Sequence, residues 1–283
     1  MRRPSNRWAE SAPPTEVEID VLIPTAGRTA ELAVTLSGLA AQDGPEFRVT
    51  VSDESDGGQG LAHPATRAMV RVLEAQGRPV RLLRHAPRRG LAAHRQFLFE
   101  QASAEQVLFL DDDVWLEPEQ LARLSVALRT LGCGFVGAAV QGLSYLTDER
   151  PDQQTTFEPW GQRVSPERIR RGTAGFERWP LHNAANLAHI ARRTPLPETG
   201  WLAYKIAWVG GCVLFRREAL ECVGGFDFGV DVPPDHSGED VAAQWRVMER
   251  FGGAGILPSG AVHLESPTTV PDRRIDVFDL MQD

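Results

Sequence analysis

Val107-Leu108-Phe109-Leu110 runs straight into Asp111-Asp112-Asp113. Four apolar residues in a row read as a strand buried on both faces. The three carboxylates that end it repel one another, and burying them unpaired would cost more than nearby packing returns. A fold that places them there is expected to bring a divalent cation and an anionic ligand to share the charge. Taken alone, the triplet reads as readily as a solvated acidic turn. Two more acidic pairs have the same ambiguity. Asp53-Glu54 sits in a Ser/Gly-rich loop and could be plain turn chemistry. Glu239-Asp240 follows Gly238 and could be a helix N-terminal pair favoured by the macrodipole. His263 could equally be a satisfied structural histidine. His182 and His189 lie seven apart, on one face if that stretch is helical.

The elements that must position these groups follow from hydrophobic periodicity. Residues 19–23 form a strand stopped by Pro24, after which Thr25-Ala26-Gly27-Arg28 turns into a helical pattern with Leu32, Leu36 and Leu39 on one face. Residues 47–51 are a second strand ending in the acidic loop 52–58. A helix through Ala65, Met69, Val72 and Leu73 follows, then a short strand at 80–83. Gly90 opens a helix over 91–102, and after the acidic strand end comes a helix carrying Leu121, Leu124 and Leu128. This alternation predicts an α/β fold with a mostly parallel central sheet flanked by helices. Ligands bind beyond the carboxyl ends of such strands, so Pro24-Thr25, Asp53-Glu54 and the 111–113 triplet are expected on one rim.

The regularity fails from 141 to 206, which is rich in Pro, Arg, Gly and aromatic residues, with Trp160, Trp179 and Trp201 beside His182, Asn183, Asn186 and His189. So long an irregular segment inside a compact domain usually serves binding. The tryptophans could stack on a ligand or pack as core or lid. Order returns over 208–215, with a helix from 239 to about 250 and a strand ending near His263. Residues 17–265 are expected to form one domain, preceded by a flexible leader (1–16) and followed by a polar, uninformative tail (266–283).

Composition narrows the classes. A 283-residue chain with 42% hydrophobic and 24% charged residues is an ordinary globular protein with room for a proper core. A net charge of −8 without a basic tract argues against nucleic-acid binding. Cys133, Cys212 and Cys222 are odd in number and lack ligand-like spacing, which fits a reduced, cytoplasmic setting. The first residues carry no apolar signal-peptide core, and no run approaches the roughly 20 apolar residues that span a bilayer. Any membrane contact is therefore expected to be transient and peripheral, at the inner face.

Several stretches in order resemble the family 2 glycosyltransferases, inverting enzymes of the GT-A fold, over about residues 18–140 and 205–265. Ile23-Pro24-Thr25 with Arg28 is similar to the family's opening strand and turn. Val51-Ser52-Asp53-Glu54-Ser55-Asp56-Gly57 resembles its second acidic loop. The stretch from Arg89-Gly90 to His94-Arg95-Gln96 resembles its Gly-x-x-x-Ala-Arg-Asn helix start, with Gln96 where Asn is usual. Leu110 to Asp113 matches the DxD motif. Val209-Gly210-Gly211 through Phe215-Arg216-Arg217, then Val223-Gly224-Gly225-Phe226-Asp227, resembles the acceptor-side signature, and Glu239-Asp240 the acidic pair that holds the base.

The resemblance implies a nucleotide-sugar-binding half (17–140) and an acceptor-binding half (141–265). It implies Asp240 as the catalytic base and Asp113, Asp111 and His263 as ligands of Mn²⁺ or Mg²⁺, the imidazole favouring Mn²⁺. Pro24, Thr25, Arg28, Asp53, Glu54, Gly90, Arg95, Asp111 and Asp112 would hold the nucleotide-diphosphate sugar. Within that set Asp53 would meet the base, and Arg89 or Arg95 a phosphate. Glu239, Trp208, Gly210, Gly211, His182 and Asn183 are candidates for the acceptor side. A UDP-sugar is the default donor, with GDP- and dTDP-sugars close behind, and the acceptor a glycan end, a lipid-linked saccharide or a small molecule. Processive members add a Q-x-x-R-W motif and membrane helices. Gln244-Trp245-Arg246 is not that motif, so single addition is expected. Two alternatives stay open: a catalytically silent nucleotide-sugar binder or scaffold, and a sugar-phosphate nucleotidyltransferase. The second would want a Gly-rich basic loop after the first strand, which Pro24-Thr25-Ala26-Gly27 does not supply.

Overall fold

The computed structural model describes residues 16–161, 163–270 and 275–280, so that only Glu16 of the expected leader falls within it. The chain opens with β1 (Ile19–Thr25), buried at every position. It continues through α1 (Ala30–Ala40), β2 (Phe47–Asp53), α2 (Gln59–Ala62), α3 (Pro64–Ala75), β3 (Val80–Arg84), α4 (Leu91–Phe99) and β4 (Gln106–Leu110). This is the alternation that the periodicity predicts. Then come β5 (Val114–Leu116), α5 (Gln120–Leu131), β6 (Phe135–Gly137), β7 (Gln141–Gly142), α6 (Asn186–Arg193), β8 (Leu202–Tyr204), β9 (Cys212–Arg216), α7 (Arg217–Glu221), α8 (Glu239–Phe251), β10 (Gly253–Leu257) and β11 (Ala261–His263).

Among the described residues, eight strands form one sheet in the order β3-β2-β1-β4-β9-β6-β10-β8. β1 pairs in parallel with β2 and β4, as β6 does with β10. β9 runs antiparallel to both β4 and β6, and β8 antiparallel to β10. The sheet is thus mostly parallel, with β8 and β9 reversed. Alternate residues of β1 feed opposite faces, as strand geometry requires. Ile19, Val21 and Ile23 pack with Leu36 of α1 and Leu124 of α5, whereas Leu22 packs with Leu98 of α4 and Trp245 of α8. Each such fully buried aliphatic side chain is worth about 1.5–3 kcal/mol. That makes the two-sided core the foundation on which the rim stands.

A second, three-stranded sheet, β5-β11-β7, lies beyond the carboxyl end of β4. Its register sets His263 opposite Val114, the residue that follows Asp113, and beside Gly142. β7, short 3-10 turns and α6 are the regular structure of 141–206 before β8. That segment is tied to the sheet by Trp160 N–H donating to Ala203 O (2.8 Å) and Lys205 N–H donating to Glu158 O (2.8 Å). His182 ends a 3-10 turn and His189 lies in α6, with Asn183 extended between them. The condition for one shared helical face is therefore not met.

The tail is the main correction. Its described part packs on the body: Ser237 N–H donates to Ile275 O (2.9 Å) and Val277 N–H to Ser237 O (2.8 Å). Phe278 packs edge-on to Trp245 with centroids 5.1 Å apart. Gly238, at φ +77°, leaves room for that ring, since a Cβ there would lie 2.5 Å from Phe278 Cδ1. No helix among the described residues is long and apolar enough to cross a membrane.

Candidate active site

β4 delivers the acidic triplet, and the backbone around it is fixed on every side. Asp111 N–H donates to Gly211 O (2.9 Å), and Leu264 N–H to Asp113 O (2.9 Å). Thr35 Oγ1 donates to Asp112 O (2.9 Å). The three side chains then diverge, each to its own partner. Asp112 accepts from Thr25 Oγ1 (2.5 Å) and from Arg28 Nη1 (2.8 Å). Asp113 Oδ2 lies 2.5 Å from Arg28 Nη1 and 3.4 Å from His263 Nε2. Asp111 accepts from Arg95 Nη2 (2.9 Å). Repulsion within the triplet is thus met by cations, which is what buried carboxylates require.

Burial pushes the Asp112 carboxyl up to about 6, against the pull of Thr25 and Arg28. Burial acts the same way on Asp113, but the His263 hydrogen bond and the Arg28 charge overcome it and hold that carboxyl below its ordinary value. His263 is raised in turn, first by its hydrogen bond to Asp113. Asp113 is therefore held ionised, with an imidazole beside it. An oxygen-rich set with one nitrogen donor, already holding a guanidinium charge between two carboxylates, fits Mn²⁺ or Mg²⁺.

The second half of the site hangs on Arg95. It is expected from sequence to meet a phosphate, yet it is buried and donates Nε to Glu239 Oε1 (2.9 Å) as well as Nη2 to Asp111. Its fork is filled by protein carboxylates, so it ties β4 to the first turn of α8. Asp240 and Asp111 line one small enclosed cavity with Arg95, Phe109 and Gln244. Asp240 is partly exposed, but the protein mass around its carboxylate raises its pKa strongly. The Glu239 and Asp111 charges add to that effect and Arg95 opposes it. A carboxylate held near neutrality in this way suits proton transfer.

The main cleft, of about 230 Å³, is lined by Pro24, Thr25, Arg28, Glu54, Arg95, the 111–113 triplet and His263, all expected. Sequence reasoning missed Arg88, His94, Ser266, Thr268, Thr269 and Val270, which also line it. The 266–270 strand of chain is held over the cleft by Arg28 Nη2 donating to Pro267 O (2.7 Å) and Arg88 Nη2 donating to Thr269 O (3.1 Å). Two expected donor-site residues do not line the cleft. Asp53 turns its Oδ1 to the amides of Ser55 (2.8 Å) and Gly27 (3.3 Å), fixing the two loops. Glu54 is the residue of that pair that faces the cleft. Gly90, at φ +95°, is a close-approach site, because a Cβ there would meet His236 Cε1 at 2.7 Å and Pro234 O at 2.8 Å.

The acceptor-side candidates divide. Gly210 lies against Asp240, whose Oδ2 would be 3.9 Å from an added Cβ, and Gly211 accepts from Asp111 N–H. Trp208 stacks on Phe278 at 6.3 Å, next to α8. His182 is half-buried against Tyr204, with Nε2 3.2 Å from the phenol oxygen, and Asn183 lies 3.5 Å from Gln153. Neither lines the cleft. Gln244 clasps the Val209 backbone (2.8 and 2.7 Å) and Trp245 Nε1 donates to Ala207 O (2.8 Å), so those two are structural.

Comparison with known proteins agrees with this fold. The succinoglycan biosynthesis protein ExoM of Rhizobium meliloti (strain 1021) is 32% identical over 127 residues, which cover 44% of this chain and 39% of that protein. The mannosyltransferase PcManGT from Pyrobaculum calidifontis, solved in complex with GDP-Man and Mn²⁺, superposes with a TM-score of 0.56 at 17% identity, over 94% of this chain and 64% of that one. Residues 1–349 of Staphylococcus aureus TarS superpose with a TM-score of 0.53 at 16% identity, over 84% of this chain and 58% of theirs. The chain spans less than two thirds of each of these proteins, and at such identities the structural likeness shows the fold, that of the GT-A glycosyltransferases. The model of the glycosyl transferase family 2 matches residues 20–224. With the match covering well over half its length, the chain belongs to glycosyltransferase family 2.

Proposed function

We propose that this protein is an inverting, metal-dependent glycosyltransferase that adds one sugar from a nucleotide-diphosphate donor to an acceptor hydroxyl. The observation that carries the reading is the Arg95 bridge. It couples a donor-side carboxylate, Asp111, to the α8 turn that presents Asp240, a carboxylate whose pKa is raised as a base needs. Asp113, with Asp111 and His263, would hold Mn²⁺ or Mg²⁺, whose chemistry when bound is to stabilise charge developing on the leaving diphosphate. Arg28 already spans Asp112, Asp113 and the Pro267 carbonyl, and a diphosphate in the cleft would compete for that guanidinium. Asp240 would take the proton of the acceptor hydroxyl as it attacks the anomeric carbon from the face opposite the diphosphate. In-line displacement inverts that centre.

Single addition is supported by the structural roles of Gln244 and Trp245 and by the lack of a membrane-crossing helix among the described residues. A UDP-sugar is the default donor, and the GDP-Man bound to PcManGT makes a GDP-sugar the first competitor. A silent binder would have no use for a base, and here Asp240 is present, with Arg95 beside it. The test is transfer by wild type and Asp240→Asn, with product configuration read by NMR. Expected is an inverted glycoside from wild type and a kcat roughly 10²–10⁴ lower in the variant, with donor binding retained. Retention of configuration, or an Asp240→Asn enzyme as fast as wild type, would contradict the assignment.

A further inference from the structure

Outside the carboxylate triplet, one further cluster brings metal-binding side chains together. Glu54 follows β2, His85 follows β3, and His94 lies on α4, so three separate elements converge. One carboxylate oxygen and one ring nitrogen from each histidine all lie within 4.8 Å of one another. Glu54 Oε1 is 3.1 Å from His85 Nδ1, and Glu54 Oε2 is 3.5 Å from His94 Nδ1. With metal–ligand bonds of about 2.0–2.1 Å, neighbouring ligands of a tetrahedral zinc ion stand about 3.3–3.4 Å apart. Each separation, one from each oxygen of Glu54, is close to that span.

His94 is 1% exposed, and its Nε2 has no hydrogen-bond partner among the described residues. Burial above all, with the charges of Arg95 and Arg88 adding to it, keeps this imidazole neutral, the form that coordinates metal. Glu54, 6% exposed, supplies the negative charge. The nearest competing cation is Arg88, whose Nε is 3.9 Å from Glu54 Oε2 on a side chain that is 45% exposed and can withdraw into solvent.

We infer that Glu54, His85 and His94 form a second metal site, for Zn²⁺ or a similar borderline transition-metal ion, separate from the carboxylates at the end of β4. Two imidazoles and one carboxylate suit such an ion better than Mg²⁺ or Ca²⁺, which prefer all-oxygen shells. The ion would staple β3, an edge strand of which no residue is fully buried, to β2 and α4. It would also add positive charge to the wall of the cleft, because Glu54 and His94 line it. The inference does not depend on the transferase reading.

The test is calorimetric titration of the chelator-treated full chain with Zn²⁺ in an Asp113→Asn background, which weakens the other candidate site. One equivalent is expected to bind, and Co²⁺ in its place should give the intense visible bands of tetrahedral coordination. Adding His85→Gln or His94→Gln should weaken binding by at least about tenfold. His85 is partly exposed, so His85→Gln remains informative if His94→Gln fails to fold; the metal-free thermal midpoint shows which variants are folded. Binding that His85→Gln leaves unaltered, or no zinc bound to the folded Asp113→Asn protein, would overturn the inference. Neither result bears on nucleotide binding, which is measured separately.

Discussion

At the scale of single residues, the site depends on which carboxylate takes which cation. Arg95 has two obligations, the buried Glu239 at 4% side-chain exposure and Asp111, 36% exposed at the strand end. Replacing it with leucine strands both charges, and breaking a buried pair in this way costs roughly 3–5 kcal/mol. Arg95→Leu should therefore lower the denaturant midpoint markedly, while Arg95→Lys, which keeps charge but not the fork, should recover part of the loss. An unchanged midpoint in Arg95→Leu would show that the bridge is not structural. The acidic groups themselves are legible in sequence because charge after an apolar strand is costly wherever the chain goes. The choice between neighbours is not. Asp53 and Glu54 are chemically alike, and which of them enters the cleft is decided by two amides, those of Gly27 and Ser55, that claim Asp53. Likewise, an arginine near a phosphate site and an arginine consumed by carboxylates read the same until Glu239, 144 residues away, is seen beside Arg95.

At the scale of elements, strand ends and helix starts are placed as their periodicity predicts, because β1, β2 and β4 are apolar runs bounded by turn residues. The two reversed strands, β8 and β9, were not legible: strand direction is set by where the chain re-enters after 141–206, and local pattern does not record that. The tail escaped for another reason. It meets the cleft through main-chain carbonyls of Pro267 and Thr269, which any sequence possesses, and is anchored beyond by Phe278 against Trp245 and Trp208 and by Asp276 and Asp279 against Arg171. Phe278→Ala should loosen that anchor. We expect faster proteolysis within 264–280 and weaker donor binding, with the midpoint of the main body changed little. Cleavage at the wild-type rate would mean that the aromatic contact does not hold the segment.

At the scale of the whole molecule, buried ionisable groups set how stability varies with pH. Burial lowers the His182 imidazole from 6.5 to about 4. Between those values the unfolded chain binds a proton that the folded chain refuses, so this group's contribution is full above about pH 6.5 and is lost as pH falls toward 4. Asp112 acts in the opposite sense. Raised from 3.8 to about 6, it makes the folded state bind the extra proton, and its contribution declines as pH rises through that range. His182→Gln should therefore flatten the fall of the thermal midpoint between pH 6.5 and 4, and an unaltered slope would exclude His182 as a source of acid sensitivity. The central claim, a nucleotide-diphosphate site built on the end of β4, is met most directly by thermal shifts with UDP, dTDP, GDP, CDP and ADP, each with and without Mn²⁺. A ligand that binds only the folded state raises the midpoint according to its affinity. We predict one diphosphate whose shift requires Mn²⁺ and vanishes in Asp113→Asn. A folded protein whose midpoint no nucleotide moves, with or without the metal, would contradict the account.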